Sequence, residues 1–182
     1  NANIKPLLLK HKLNDNLPGD IVVLSVNIAN PKFHARYDAK YRVYLYQISK
    51  RPSAFGKKMV WWIKDSLDVE IMKQVADLYT GFRDFKTFAE KGDEEKSTIV
   101  EIRSVEIVEE GDLILIRITG SHFLWKQVRR MIGIMVEAAR GKLSLKEIES
   151  LFKKPSDLPA KLTAPGAGLF LEKVCYEGDA LP

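Results

Sequence analysis

Arg129 lies in the run Phe123-Leu-Trp-Lys-Gln-Val-Arg-Arg-Met-Ile-Gly-Ile-Met-Val-Glu-Ala-Ala-Arg140, whose spacing predicts a helix from Leu124 to Arg140 that ends at Gly141. Leu124, Val128, Met131, Ile132 and Met135 make its core stripe, and Lys126, Gln127 and Arg130 project from the polar side. Arg129 fits neither set, because Trp125, Ile132 and Gly133 are among its neighbours three and four residues away. A guanidinium leaving a helix among apolar groups needs an anion, since a charge taken out of water unpaired is strongly penalised. That anion is either an acidic residue of this chain, in a structural salt bridge, or a catalytic carboxylate or substrate phosphate. Tyr44 is the second candidate. It shares a strand face with Arg42 and Tyr46, and an aromatic beside basic residues can stack a nucleobase while the cations hold phosphates. The alternative is a tyrosine packed in the sheet core. Other chemistries are poorly served. His11, His34 and His122 form no ligand-spaced pair, so no metal site is expected, and there is neither a phosphate-cradling glycine motif nor a nucleophile elbow. Cys175, within an apolar run, reads as an inert core thiol.

The elements that must position these side chains are strands first. Asp20 to Ala29 is β-branched and apolar and reads as a buried strand, Tyr41 to Ile48 alternates, and Lys58 to Ile63 makes a third strand. Asp68 caps a helix through Val69, Met72, Val75, Ala76 and Tyr79, with Gly81 after its end. Thr98 to Val108 and Leu113 to Thr119 flank a turn at Glu109-Glu110-Gly111-Asp112 and predict a hairpin. Ser144 with Glu147 is a capping box for a helix to about Phe152, and Leu169 to Tyr176 forms the last strand. A short amphipathic helix is expected at Pro6 to Lys12, followed by the turn-rich loop Asn14 to Gly19. Ala89 to Ser97 is expected to be a solvated loop. The order gives an α+β fold with a mainly antiparallel sheet and helices packed on one side.

Composition sets the outer limits. With 46% hydrophobic and 29% charged residues over 182 positions, a disordered chain is excluded. The net charge of +5 is too mild to argue for nucleic acid by itself. One cysteine can close no internal disulfide, and no apolar run approaches the roughly 18 residues of a membrane span, so a cytoplasmic setting is expected. The first residue is Asn1 and not Met, which suggests part of a longer protein.

Six ordered segments resemble the tRNA pseudouridine synthase A family. They are Leu17-Pro-Gly-Asp-Ile21, Phe33-His-Ala-Arg36, Tyr44-Leu-Tyr46, Gly81 with Asp84-Phe85 and Phe88, Phe123-Leu124 with Val128-Arg129 and Gly133, and Thr163-Ala-Pro165 followed by Gly168-Leu-Phe-Leu171. The resemblance implies a homodimeric enzyme without metal or organic cofactor that isomerises uridines in the anticodon arm of tRNA. It assigns Tyr44 to stacking on the target base, Leu169 to the uracil pocket and Arg129 to pairing with the catalytic aspartate. Arg36, Arg42, Lys126 and Arg130 are the RNA-contact candidates.

The family's aspartate belongs to an Arg-Thr-Asp-x-Gly-Val-His-Ala motif upstream of the Leu-Pro-Gly-Asp-Ile segment, and nothing of that form occurs in these residues. Residues 1–19 are therefore expected to connect from a missing N-terminal domain, with 20–182 as the C-terminal α+β domain, inactive alone. Lys126-Gln127 replaces the family's usual His-Met, Arg130 a common Asn, Arg83 a frequent His and Ser97 an Arg. A non-catalytic RNA-binding or dimerisation module with the same fold is the rival reading, and a purely structural domain the third.

Overall fold

Hydrophobic periodicity translates into regular structure through most of residues 39–182 and fails before them. The computed structural model describes residues 4–90 and 97–181, in two units, Asn1–Asp38 and Ala39–Pro182. In the first unit, helix α1 (Pro6–Asn16) opens on its proline, runs four residues past the expected end and buries none of its side chains. Asp20 to Ala29 is not a strand. It makes no ladder pair among the described residues, and Leu24 and Ile28 are 79% and 90% exposed. β-propensity measures the fit to a paired, half-buried surface, so without a neighbouring strand these side chains have nothing to pack against. The Asn14 side chain holds this stretch instead, accepting from the Val23 amide at 2.7 Å and donating to its carbonyl at 3.1 Å.

In the second unit the elements run β1 (Tyr41–Ser49), β2 (Trp61–Trp62), α2 (Val69–Tyr79), β3 (Gly81–Asp84), a 3-10 turn (Lys86–Phe88), β4 (Ile99–Glu110), β5 (Leu113–Gly120), α3 (Gln127–Ala139), α4 (Leu145–Leu151), α5 (Leu158–Lys161) and β6 (Leu169–Cys175). The sheet order is β2-β1-β5-β4-β3, and β6 also pairs with β1. Only the short β1–β2 pairing is parallel, so the architecture is α+β and mainly antiparallel. Tyr44, Tyr46 and Ile48 stand opposite Ile118, Ile116 and Ile114, and this face meets Met72, Val75, Met131 and Met135 from α2 and α3. Buried Tyr79 ties the two helices together by donating to the Met131 carbonyl at 2.9 Å.

Local end signals act as expected in two helices. Asp68 accepts from the Glu70 and Ile71 amides, Gly81 follows α2 at φ +94°, and Ser144 with Glu147 closes the capping box of α4. The third strand shrinks from Lys58–Ile63 to Trp61–Trp62, β3 and α5 are additions, and residues 91–96 of the expected charged loop lie outside the described residues. Helix α3 begins at Gln127, not Leu124. Lys126 is left-handed (φ +63°), with no Ser, Thr, Asp or Asn there to cap an earlier start, and the Gln127 Oε1 accepts from the Leu124 amide at 2.8 Å. Phe123, Leu124 and Trp125 are thereby released from the helix.

One close approach positions the rest. The chain after α5 crosses α3 at Gly133, where a Cβ would lie 1.6 Å from the Leu162 carbonyl oxygen. No side chain fits there without moving backbone. Gly133→Ala is expected to lower stability by about 3 kcal/mol, whereas Gly166→Ala, with open space around its Cβ, should stay within about 0.5 kcal/mol of the parent in urea unfolding.

Candidate active site

Three structural constraints shape one cavity: the release of Phe123 to Trp125, the start of β6 and the crossing at Gly133. It has a volume of about 330 Å³, and Tyr44, Phe123, Val128, Arg129 and Leu169 are in its wall. Tyr44 and Leu169 come from paired strands, and Arg129 comes from the first turn of α3. The Tyr44 ring meets Phe123 edge to face, with centroids 5.0 Å apart at 85°. Tyr44 is half-buried and faces the cavity, so it is not a closed core residue.

Arg129 is clamped to the crossing segment through both backbone and side chain. Its carbonyl accepts from the Ala164 amide at 3.0 Å, and its Nε donates to the Ala164 carbonyl at 2.6 Å. The buried Tyr46 hydroxyl donates to the next carbonyl, Pro165, at 2.9 Å. Burial pushes the Tyr46 phenol far above its usual range, with the positive charge of Arg129 pulling partway back, so Tyr46 remains a neutral donor. Gly168, at φ +91°, closes the segment where a Cβ would come within 2.7 Å of the Gln47 carbonyl oxygen. A carbonyl satisfies one guanidinium donor but does not neutralise the charge. Among the described residues Arg129 makes no ion pair, and no acidic side chain lines the cavity. The intrachain salt bridge is therefore not formed among these residues, and the cation faces a cavity whose described walls hold no anion.

Of the basic candidates, Lys126 alone joins Tyr44, Arg129 and Leu169 in the cavity wall. It pairs with Glu90 at 2.7 Å, which holds that carboxyl below its usual range. Arg42 donates to the Ala39 and Ser121 carbonyls at 2.9 and 2.8 Å. Arg130 and Gln127 correct the expected polar face of α3. Arg130 is 8% exposed and donates to the Ala89 carbonyl, while Gln127 is buried. Starting α3 three residues late changes which contacts its first turn makes. The loss of solvation at Arg130 pulls its guanidinium down, and Glu90 offsets this in part. Arg36 belongs to the first unit, where its guanidinium lies 5.9 Å from the Tyr37 ring centre and its amide donates to the His34 ring. Sequence reasoning missed the role of Tyr46 in holding Pro165. Its position two residues from Tyr44, on the same strand face, was the one available signal.

A family model described as tRNA pseudouridine synthase matches residues 75–177. A protein named tRNA pseudouridine synthase A from Fervidobacterium nodosum is 36% identical over 171 residues, covering 92% of this chain and 70% of the relative. Its namesake from Pseudothermotoga lettingae is 35% identical over the same shares. A tRNA pseudouridine synthase A 2 from Clostridium perfringens is 34% identical over 178 residues, 97% of this chain and 73% of the relative.

Tyr46→Phe leaves the Pro165 carbonyl without its donor. It is expected to cost about 1 kcal/mol in urea unfolding, and to speed hydrogen exchange at the Ala164 amide relative to amides of β4 and β5.

Proposed function

Because the chain belongs to the tRNA pseudouridine synthase A family, we propose that it forms the uridine-binding side of an active site converting uridine to pseudouridine in the anticodon arm of tRNA. The reaction is an isomerisation. The N1–C1′ glycosidic bond breaks, the uracil turns while held, C5 bonds to C1′, the C5 proton leaves and N1 takes up a proton, so product and substrate have the same composition. A positioned carboxylate is required, as nucleophile or base. The target base leaves its stack, because the uracil must detach and turn before C5 can reach C1′. It then lies on Tyr44 with Leu169 against its edge.

The observation that carries this reading is Arg129, a cation in the same cavity wall as Tyr44 and Leu169 with no ion pair among the described residues. Arg129 is a positioning residue here. It acts through a catalytic aspartate supplied from outside the described residues, with 1–19 as the connection to the domain that carries it. The charge-assisted bond would keep that carboxylate ionised and oriented. Arg36, Arg42 and Lys126 contact RNA phosphates, and the working form is a cytoplasmic homodimer acting on tRNA without metal or organic cofactor. A cavity wall with no acidic side chain among the described residues also suits the rival, a non-catalytic RNA-binding module.

Tritium release from uracil C5 of tRNA, assayed with the product of the complete reading frame, separates the two. The enzyme reading predicts release. It also predicts that Arg129→Ala lowers kcat about a hundredfold or more with little change in tRNA affinity, and that Arg129→Lys recovers part of the loss. An inert parent protein, or near-parental turnover by Arg129→Ala, contradicts it.

A further inference from the structure

A second cavity, of about 560 Å³, opens beside the first, between the loop that follows β1 and the strand β2. Trp61, Trp62, Val60, Pro52 and Pro165 supply apolar walls, Lys57 the cationic one, and among the described residues no acidic side chain is in its lining. Pro165 and Leu169 belong to the two cavities and are four residues apart, so their linings lie within about 14 Å of each other along the chain. The Tyr46 hydroxyl holds the Pro165 wall, and the Tyr46 ring braces Trp61 edge to face at 6.3 Å and 87°. One indole is thus fixed by the same residue that orders the first cavity. The other, Trp62, is 48% exposed, and Phe55 on the loop is 91% exposed.

The charges around it are unevenly committed. Lys50 and Arg51 at the loop's start pair with Glu109 and Asp112. Lys57, Lys58 and Lys64 are exposed, and no ion pair among the described residues uses them. An apolar slot walled by indoles and prolines, with Lys57 in its wall and no carboxylate among its described lining residues, suits a planar base joined to phosphates. The indole walls favour a planar ring, and Lys57 favours one joined to phosphate.

Resting on the uridine-binding reading of the first cavity, we propose that this second cavity is a nucleobase subsite. It takes a base flanking the target uridine, with Trp62 as the stacking platform and Lys57 as a phosphate contact. Holding a neighbouring base apart from the target would stabilise the unstacked strand from which the uridine is presented, and would make turnover sensitive to the flanking nucleotide.

The probe is an unmodified tRNA transcript that the parent protein modifies, with the parent, Trp62→Ala, Trp62→Phe and Lys57→Ala proteins made from the complete reading frame. Trp62→Ala should raise Kd and KM about tenfold, Trp62→Phe should recover most of that, and Lys57→Ala should reduce the salt slope of log Kd by about 1. Parental Kd and KM in Trp62→Ala, while parent and variant both modify tRNA, overturn the subsite and leave the uridine reading standing. A shift of Trp62→Ala from dimer to monomer in sedimentation, at unchanged tRNA affinity, assigns the patch to a second copy of the chain and also overturns it. A parent that modifies no tRNA transcript tried, so that no such probe exists, overturns both readings together.

Discussion

The Leu162 carbonyl can lie against α3 only because position 133 has no side chain. From that contact the remaining constraints follow in a short chain of bonds. The crossing brings Ala164 to Arg129, which grips it twice, and sets Pro165 over the Tyr46 hydroxyl. Gly168 then turns the segment against Gln47, so that Leu169 enters the sheet opposite Tyr46, two residues along β1 from Tyr44. The cavity is a consequence of this packing. Its wall is made of Tyr44 and Leu169 from two paired strands, the first turn of α3 and the residues just before it, and the crossover acts on it through Arg129 and Tyr46.

The same packing sets the electrostatics. Arg129 is held by a carbonyl, so its direction is fixed while its charge stays available. Its neighbour Arg130 shows the opposite solution, a guanidinium turned inward to the Ala89 carbonyl with Glu90 nearby. Two consecutive arginines therefore make different contacts, one facing a cavity whose described walls hold no anion and one held by the Ala89 carbonyl. A cation so oriented, with no ion pair among the described residues, stabilises a carboxylate placed beside it and lowers that group's pKa more strongly than an exposed cation would.

What could be read from the sequence was what is local. The Asp68 and Gly81 ends of α2 and the Ser144 box of α4 depend on residues a few positions apart and formed as read. The hairpin formed with its turn tightened from Glu109–Asp112 to Gly111-Asp112, because Glu109 and Glu110 pair with Ile114 and Leu113. Apolar content misled at Asp20 to Ala29, because a strand needs a partner that its own sequence cannot specify. The start of α3 was misread for lack of any capping residue before Gln127. Burial of Arg130 depends on Ala89, forty-one residues away, and the crossing at Gly133 on Leu162, twenty-nine away. No periodicity reports such contacts. The meeting of Tyr44, Arg129 and Leu169 was legible only through family resemblance, since nothing in their spacing brings a strand, a helix and a second strand to one place.

The central claim is that Arg129 orients a catalytic carboxylate over a base stacked on Tyr44. The most direct measurement is a crystal structure of the product of the complete reading frame bound to tRNA carrying 5-fluorouridine at the target position, where C5 has no hydrogen to release. The account predicts a carboxylate within about 4 Å of the Arg129 guanidinium, with the fluorinated base between Tyr44 and Leu169. A base bound elsewhere, or an Arg129 that meets no carboxylate in the complex, would contradict it.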